Sequence, residues 1–382
     1  MFKRLFACLL LIVCSSVAQA DKPLIPAPPQ LAATAYLLID AHTGQVLVEH
    51  DADKQIPPAS LTKMMTSYIV SEELDKGAIK EQDMVNISEK AWRKGGSKMF
   101  VKVGEKVPVI DLLRGVIVQS GNDASIALAE FVSGSEEVFA EVMNQQAQLL
   151  GMNDTHFMNA TGWPAEGHVT TARDLGKLAR ALINDHPSHY ALYSEKYFQF
   201  NGINQPNRNR LLWRDPAVDG IKTGHTEEAG YCLVASAVKR GMRLISVVVG
   251  TDSDEKRAAE TQKLLAYGFR YYQTHKVYGS NDVLQTERVW GGKTDTVGIA
   301  VKNDVFVTIP RGGEDSIKAD LIVDGELKAP LAKGQQVGKV VVTLDGETVA
   351  DVAAVVAEDV EEAGFFKRLW DAIKRFVMGF FE

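Results

Sequence analysis

The sequence predicts an α+β domain, then a small all-β domain and a terminal amphipathic helix, and three observations carry that prediction. Strand patterns open and close a long segment whose middle reads as helices. Near His275 the helical period fades into valine-rich alternation. The last 18 residues place nine large apolar side chains on one side of a helical wheel.

The elements follow in chain order. Lys3 and Arg4 precede an apolar run over 5–13, and Ala18-Gln19-Ala20 forms a small-x-small cleavage site, so residues 1–20 read as a secretory signal peptide. The run is too short for a bilayer, which takes about 20 apolar residues. Cleavage removes two basic residues and takes the formal charge from -7 to -9. Cys8 and Cys14 lie inside the signal, so Cys232 is the one cysteine of the mature chain and forms no intramolecular disulfide. Flanked by Tyr231 and Leu233, it reads as a small buried hydrophobe. Residues 21–32 carry Pro23, Pro26, Pro28 and Pro29 and read as an extended lead-in.

Residues 33–275 form the first expected domain. A strand over 35–40, a turn at His42-Thr43-Gly44 and a strand over 45–49 open it. Helical patterns follow at 61–74, 109–117, 124–131, 136–150 and 171–183. Strands return at 231–238 and 244–249, and a helix is expected over 256–271. Residues 276–363 read as a β domain with turns at Asp324-Gly325 and Asp345-Gly346. Its Gly292-Lys293-Thr294 is no phosphate loop, because Glu287 stands where that motif needs glycine. Residues 364–382 read as a basic amphipathic helix suited to a membrane interface.

Composition narrows the chemistry. With 42 Lys+Arg against 49 Asp+Glu and no long basic run, the chain is not a nucleic-acid binder. Three stretches fit Ser-x-x-Lys, a spacing that lets a lysine serve as base to a serine one helical turn away. Ser236 and Lys239 lie in a strand pattern, where residues three apart face opposite sides. Ser253 reads as a helix cap, and Asp252, Asp254 and Glu255 would keep Lys256 protonated. Only Ser60-Leu61-Thr62-Lys63 follows Pro57-Pro58-Ala59 into an apolar helix, where burial lowers a lysine pKa toward the working pH. Ser120-Gly121-Asn122 and Lys222-Thr223-Gly224 follow in that order.

Those three motifs resemble the signature of the penicillin-recognising serine enzymes. Within them the chain is similar to low-molecular-mass penicillin-binding proteins of the D-alanyl-D-alanine carboxypeptidase type. Thr155-His156-Phe157-Met158-Asn159 with Gly162, the stretch Thr170-Thr171-Ala172-Arg173-Asp174-Leu175, Asn207-Arg208-Asn209 before Leu211-Leu212-Trp213, the β domain and the terminal helix share that likeness. The resemblance implies a β-lactamase/transpeptidase-like domain, an antiparallel sheet with helices on both faces. It further implies Ser60 as nucleophile, Lys63 as its base, and Ser120 with Lys222 as a proton relay to the departing D-alanine. Asn122 would hold the substrate amide, and Thr223 of the Lys222-Thr223-Gly224 motif, with Arg208, the terminal carboxylate. The backbone N–H groups of Ser60 and His225 would form the oxyanion hole. Peptidoglycan stem peptides ending in D-Ala-D-Ala and β-lactam antibiotics are the implied partners, with no cofactor and no metal. The implied location is the periplasmic face of the cytoplasmic membrane. Asn159-Ala160-Thr161-Gly162-Trp163 departs from the family pattern, lacking the Pro, His or Leu often found there.

Other activities share these motifs. A class A β-lactamase carries Glu-x-x-Leu-Asn, absent here, where Glu166 is followed by Gly167, His168 and Val169. A transpeptidase or endopeptidase has the same acyl-donor chemistry, and a scaffold that binds peptide without turnover is the non-catalytic alternative.

Overall fold

Strand alternation sets the layering of the first domain. In the computed structural model, which describes residues 24–280 and 282–378, β1 (Ala35–Asp40) is buried throughout. Ala35, Leu37 and Ile39 enter one core and Tyr36 and Leu38 another, because successive strand residues face opposite sides. β2 (Val46–His50), β3 (Val218–Thr226), β4 (Gly230–Lys239) and β5 (Met242–Thr251) complete an antiparallel sheet of order β2-β1-β5-β4-β3. β3 is therefore an edge strand. The signal peptide expected over 1–20 and the last four residues of the terminal helix lie outside the described residues.

Helices cover both faces. One carries α1 (Lys63–Asp75), α2 (Val109–Val118), α3 (Asn122–Ser133), α4 (Glu136–Leu149) and α5 (Ala172–Asp185). Residues 63–71 of α1 are all buried, as befits a helix with neighbours on every side. The other face carries α6 (Asp254–Tyr271), whose Leu264, Leu265 and Phe269 pack with Leu38 and Leu244. Ser253 caps α6 by accepting from the Lys256 N–H, the role its position predicted.

The second domain begins with β6 (Tyr272–Tyr278), so the compositional change at His275 falls inside a strand. β7 (Val283–Trp290), β8 (Thr296–Val301), β9 (Val305–Pro310), β10 (Ile317–Val323), β11 (Leu327–Lys328), β12 (Gln336–Leu344) and β13 (Glu347–Val356) follow. β6 pairs with β9, and the other six form a sheet of order β10-β12-β13-β8-β7-β11. Asp345-Gly346 closes the β12–β13 hairpin with both residues at positive φ, as a tight hairpin turn requires. Asp324-Gly325 instead redirects the chain from β10 to β11, which runs parallel to β7. The buried Asp40 joins the domains, its Oδ2 accepting from Thr274 Oγ1 at 2.5 Å and Thr308 Oγ1 at 2.8 Å.

The terminal helix α7 (Phe365–Met378) packs by its polar side. Asp371 is 6 % exposed and accepts from the Gly291 N–H at 3.0 Å, while Phe366 is 85 % exposed and Phe365, Trp370 and Phe376 are exposed beside it. Lys367, Arg368 and Arg375 pair with Asp295, Glu362 and Glu326 of the β domain. Among the described residues no helix is long and apolar enough to cross a membrane.

Candidate active site

Pro58 leads into a 3-10 turn, Ala59–Thr62, from which α1 grows, so Ser60 lies on the turn and Lys63 opens the helix. The two share a face, and Lys63 Nζ lies 3.1 Å from Ser60 Oγ. It also meets Asn122 Oδ1 at 2.8 Å and the Thr161 carbonyl at 2.5 Å. Burial, reinforced by the charge of Arg208, lowers the Lys63 pKa to about 7.

The second motif links α2 to α3. Ser120 takes φ 63°, and its buried Oγ has no hydrogen-bond partner within the described protein. The strained loop is held by Asp123, whose buried carboxylate accepts from the N–H groups of Met99 at 3.0 Å and Phe100 at 2.9 Å. Asn122 is fixed at its other end, Nδ2 donating to the Gly95 carbonyl at 2.8 Å.

The third motif lies on β3, a strand not expected from the sequence. Lys222 is buried and donates only to the Thr223 carbonyl, at 3.2 Å, among the described residues. Burial, with the nearby charges of Lys63, Arg208 and Arg257, holds it well below the ordinary lysine range. At Gly224 a Cβ would stand 3.1 Å from Leu61 Cγ and 3.4 Å from the Leu61 nitrogen, so the bare backbone brings β3 against the Ser60 turn. The exposed His225 ring lies against Tyr231, tilted by 36° with centroids 4.0 Å apart.

These elements enclose a cavity of about 290 Å³ lined by Ser60, Ser120, Arg208, Thr223, His225 and Arg257 among others. Arg208 donates to Gln119 Oε1 at 3.4 Å and has no carboxylate partner among the described residues. Arg257 was not singled out from sequence. It projects from the first turns of α6, pairs with Asp254 and donates to the Gly224 carbonyl at 3.1 Å. Two guanidinium groups beside a serine, a lysine and a threonine suit a small substrate ending in a carboxylate.

The 159–163 loop closes the site from the other side. Asn159 Oδ1 accepts from the N–H groups of Thr161, Gly162 and Trp163 at 3.1, 2.9 and 3.1 Å, which presents the Thr161 carbonyl to Lys63. Gly162 takes φ 80°, and a Cβ there would stand 1.7 Å from the Ala59 carbonyl oxygen. In the sequence this loop shares Asn159 and Gly162 with the family and otherwise departs from its pattern. Its contribution to Lys63 is a backbone oxygen, which leaves no residue signature.

Residues 22–253 match the family model described as D-alanyl-D-alanine carboxypeptidase, and residues 272–362 match the C-terminal domain of penicillin-binding protein 5. The chain is 45% identical over 371 residues to D-alanyl-D-alanine carboxypeptidase DacA of Escherichia coli K12, covering 94% of this chain and 92% of the relative. It is 44% identical to its Haemophilus influenzae counterpart, covering 96% and 95%. The solved structure of penicillin binding protein 5 from Haemophilus influenzae superposes with a TM-score of 0.82 at 45% identity, over 88% of this chain and 100% of that one.

Proposed function

The chain belongs to the D-alanyl-D-alanine carboxypeptidase family of serine peptidases, and from that premise we propose that it removes the terminal D-alanine of peptidoglycan stem peptides through an acyl-enzyme on Ser60. Neutral Lys63 takes the Ser60 proton as Oγ attacks the carbonyl between the two D-alanines. The backbone N–H groups of Ser60 and His225 hold the oxyanion. Collapse releases D-alanine, whose amine receives the proton through Ser120 and Lys222, and water then frees the acyl-enzyme. Asn122 supports the substrate amide. Thr223, Arg208 and Arg257 hold the terminal carboxylate, and Gly224 keeps β3 near enough for the peptide to lie along its free edge. A β-lactam presents a similar carbonyl and carboxylate and acylates the same serine.

The observation that carries this reading is the placing of Lys63 Nζ among Ser60 Oγ, Asn122 Oδ1 and the Thr161 carbonyl, in a site that lowers its pKa to about 7. The test is free D-alanine released from a peptide ending in D-Ala-D-Ala, beside Ser60→Ala. No release by the wild type sinks the activity, and equal release by both sinks the assignment of Ser60.

The reading extends to place and architecture. Residues 1–20 direct export, residues 33–275 act on the peptide, and α7 lies in the outer leaflet interface of the cytoplasmic membrane. The outward apolar side of α7 supports that last step. The β domain, between the two, holds the catalytic domain off the bilayer.

A further inference from the structure

His168 sits outside the three motifs, 4 % exposed, between the two segments that grip Lys63. Its Nε2 is 3.0 Å from Thr62 Oγ1, in the turn that carries Ser60, and its Nδ1 is 3.3 Å from Asn159 Nδ2, in the loop that carries Thr161. The Asn159 amide has one orientation: Oδ1 accepts from three backbone N–H groups and the Thr161 hydroxyl, while Nδ2 donates to the Trp163 carbonyl at 2.9 Å. An amide nitrogen only donates, so Nδ1 of His168 accepts and its proton resides on Nε2, which donates to Thr62. Phe157 packs edge-on against the ring, and His156 and Lys63 are the charged groups acting on it. Burial, with the charge of His156 second, outweighs the opposing pull of the Trp163 carbonyl and lowers its pKa to about 4, which keeps the imidazole neutral across the working range.

We propose that His168 is a positioning residue for acylation: as a neutral donor and acceptor it bolts the 159–163 loop to the Ser60 turn, so that Lys63 meets Ser60 Oγ and the Thr161 carbonyl together. The inference rests on the role given to Lys63 above. Thr62 and Lys63 are consecutive, and Thr161 is two residues from Asn159, so slack at the His168 bridge passes directly to the contact at Lys63 Nζ. A looser loop admits water beside Lys63, weakens its desolvation and raises its pKa.

The test uses the full chain and the rate at which a fluorescent penicillin acylates it, followed from pH 5 to 9, with thermal unfolding of each variant as a folding check. His168→Leu keeps bulk and loses both hydrogen bonds. It lowers acylation at neutral pH about tenfold, as misplacement of a reacting group does, and moves the acid limb to higher pH. His168→Gln, which can accept from Asn159 and donate to Thr62, restores both. Thr62→Val, which removes only the hydroxyl, moves the limb in the same direction and serves if the Leu variant does not fold. An unmoved limb in both His168→Leu and Thr62→Val overturns the proposal. So does a Gln variant as impaired as the Leu variant. Absence of acylation in the wild type would instead overturn the roles of Ser60 and Lys63.

Discussion

Lys63 and Asn122 meet at 2.8 Å, Nζ to Oδ1, and this bond gives the lysine its direction. Asn122 Oδ1 and the Thr161 carbonyl can only accept, so a neutral amine spends its two N–H groups on them. The remaining lone pair is left for the Ser60 hydroxyl, 3.1 Å away. A protonated Lys63 would donate to all three oxygens and have nothing with which to take a proton.

Acylation should therefore follow the neutral fraction of Lys63. The rate should be level above about pH 7 and fall about tenfold per unit below it, as for any required base. Arg208 is the second cause of the low pKa, so Arg208→Gln makes protonation easier and moves the acid limb to higher pH. A penicillin acylation profile of the two proteins checks this. A limb that stays put in the variant means that the charge of Arg208 does not reach Lys63.

Gly162 and Gly167 offer a controlled comparison within one loop. Both take positive φ, but a Cβ at 162 meets the Ala59 carbonyl at 1.7 Å, while one at 167 meets only Met158 Sδ at 3.9 Å. Gly167→Ala carries the conformational penalty alone, about 1 kcal/mol. Gly162→Ala must also push the loop off the Ser60 turn, with a destabilisation of about 3 kcal/mol and acylation reduced at least about a hundredfold. Denaturant unfolding and labelling measure the two effects. Similar losses in both variants would show that the contact with Ala59 is unimportant.

The two arginines of the cavity differ in how firmly they are held. Arg257 is buried and braced by Asp254 and the Gly224 carbonyl, whereas Arg208 has only a 3.4 Å contact with Gln119. Arg257→Ala should lower kcat/KM about 10- to 100-fold, the worth of a charge-assisted hydrogen bond in a buried site. A peptide amidated at its C-terminus lacks the charge and should be cleaved equally poorly by wild type and variant. If the variant discriminates against the amide as strongly as the wild type does, Arg257 does not hold the carboxylate.

The sequence showed what depends on residue type at fixed spacing and hid what depends on direction. The strand expected over 35–40 matches β1 in its bounds, and because both faces of that strand are buried its signal is the unbroken apolar run from Ala35 to Ile39. Ser60 and Lys63 stood out from Ser236 and Ser253 by their apolar context, and Ser236 indeed lies on β4, where it accepts from Arg243 at 2.7 Å. β3 escaped because Gly220, Lys222 and Gly224 interrupt apolar alternation and an edge strand pairs on one side only. Arg257 escaped because nothing local tells an arginine in the first turns of a helix whether it turns inward. The wheel of the terminal helix separated two faces, yet only the fold tells which one meets the β domain.

That last point yields a prediction about the tail. Because Lys367, Arg368 and Arg375 pair with Asp295, Glu362 and Glu326, at 3.0, 3.0 and 3.8 Å, much of the basic charge of α7 is spent within the protein. For α7 in the proposed interfacial position, attraction to anionic lipid would then be a minor contributor, and burial of Phe365, Phe366, Trp370 and Phe376 would dominate at about 25 cal/mol per Å² of apolar surface. The mature chain should accordingly bind zwitterionic vesicles nearly as well as anionic ones and stay bound at about 0.5 M salt, where exposed charges are screened within a few ångströms. A double change, Phe366→Ser with Trp370→Ser, should release it while leaving D-alanine release unchanged, since both residues sit on the β domain's outer helix, away from the cavity around Ser60. Vesicle co-sedimentation beside a peptidase assay separates the alternatives. Release by salt alone would mean that the ion pairs to the β domain open at the membrane and that charge, rather than the aromatic face, holds the protein there.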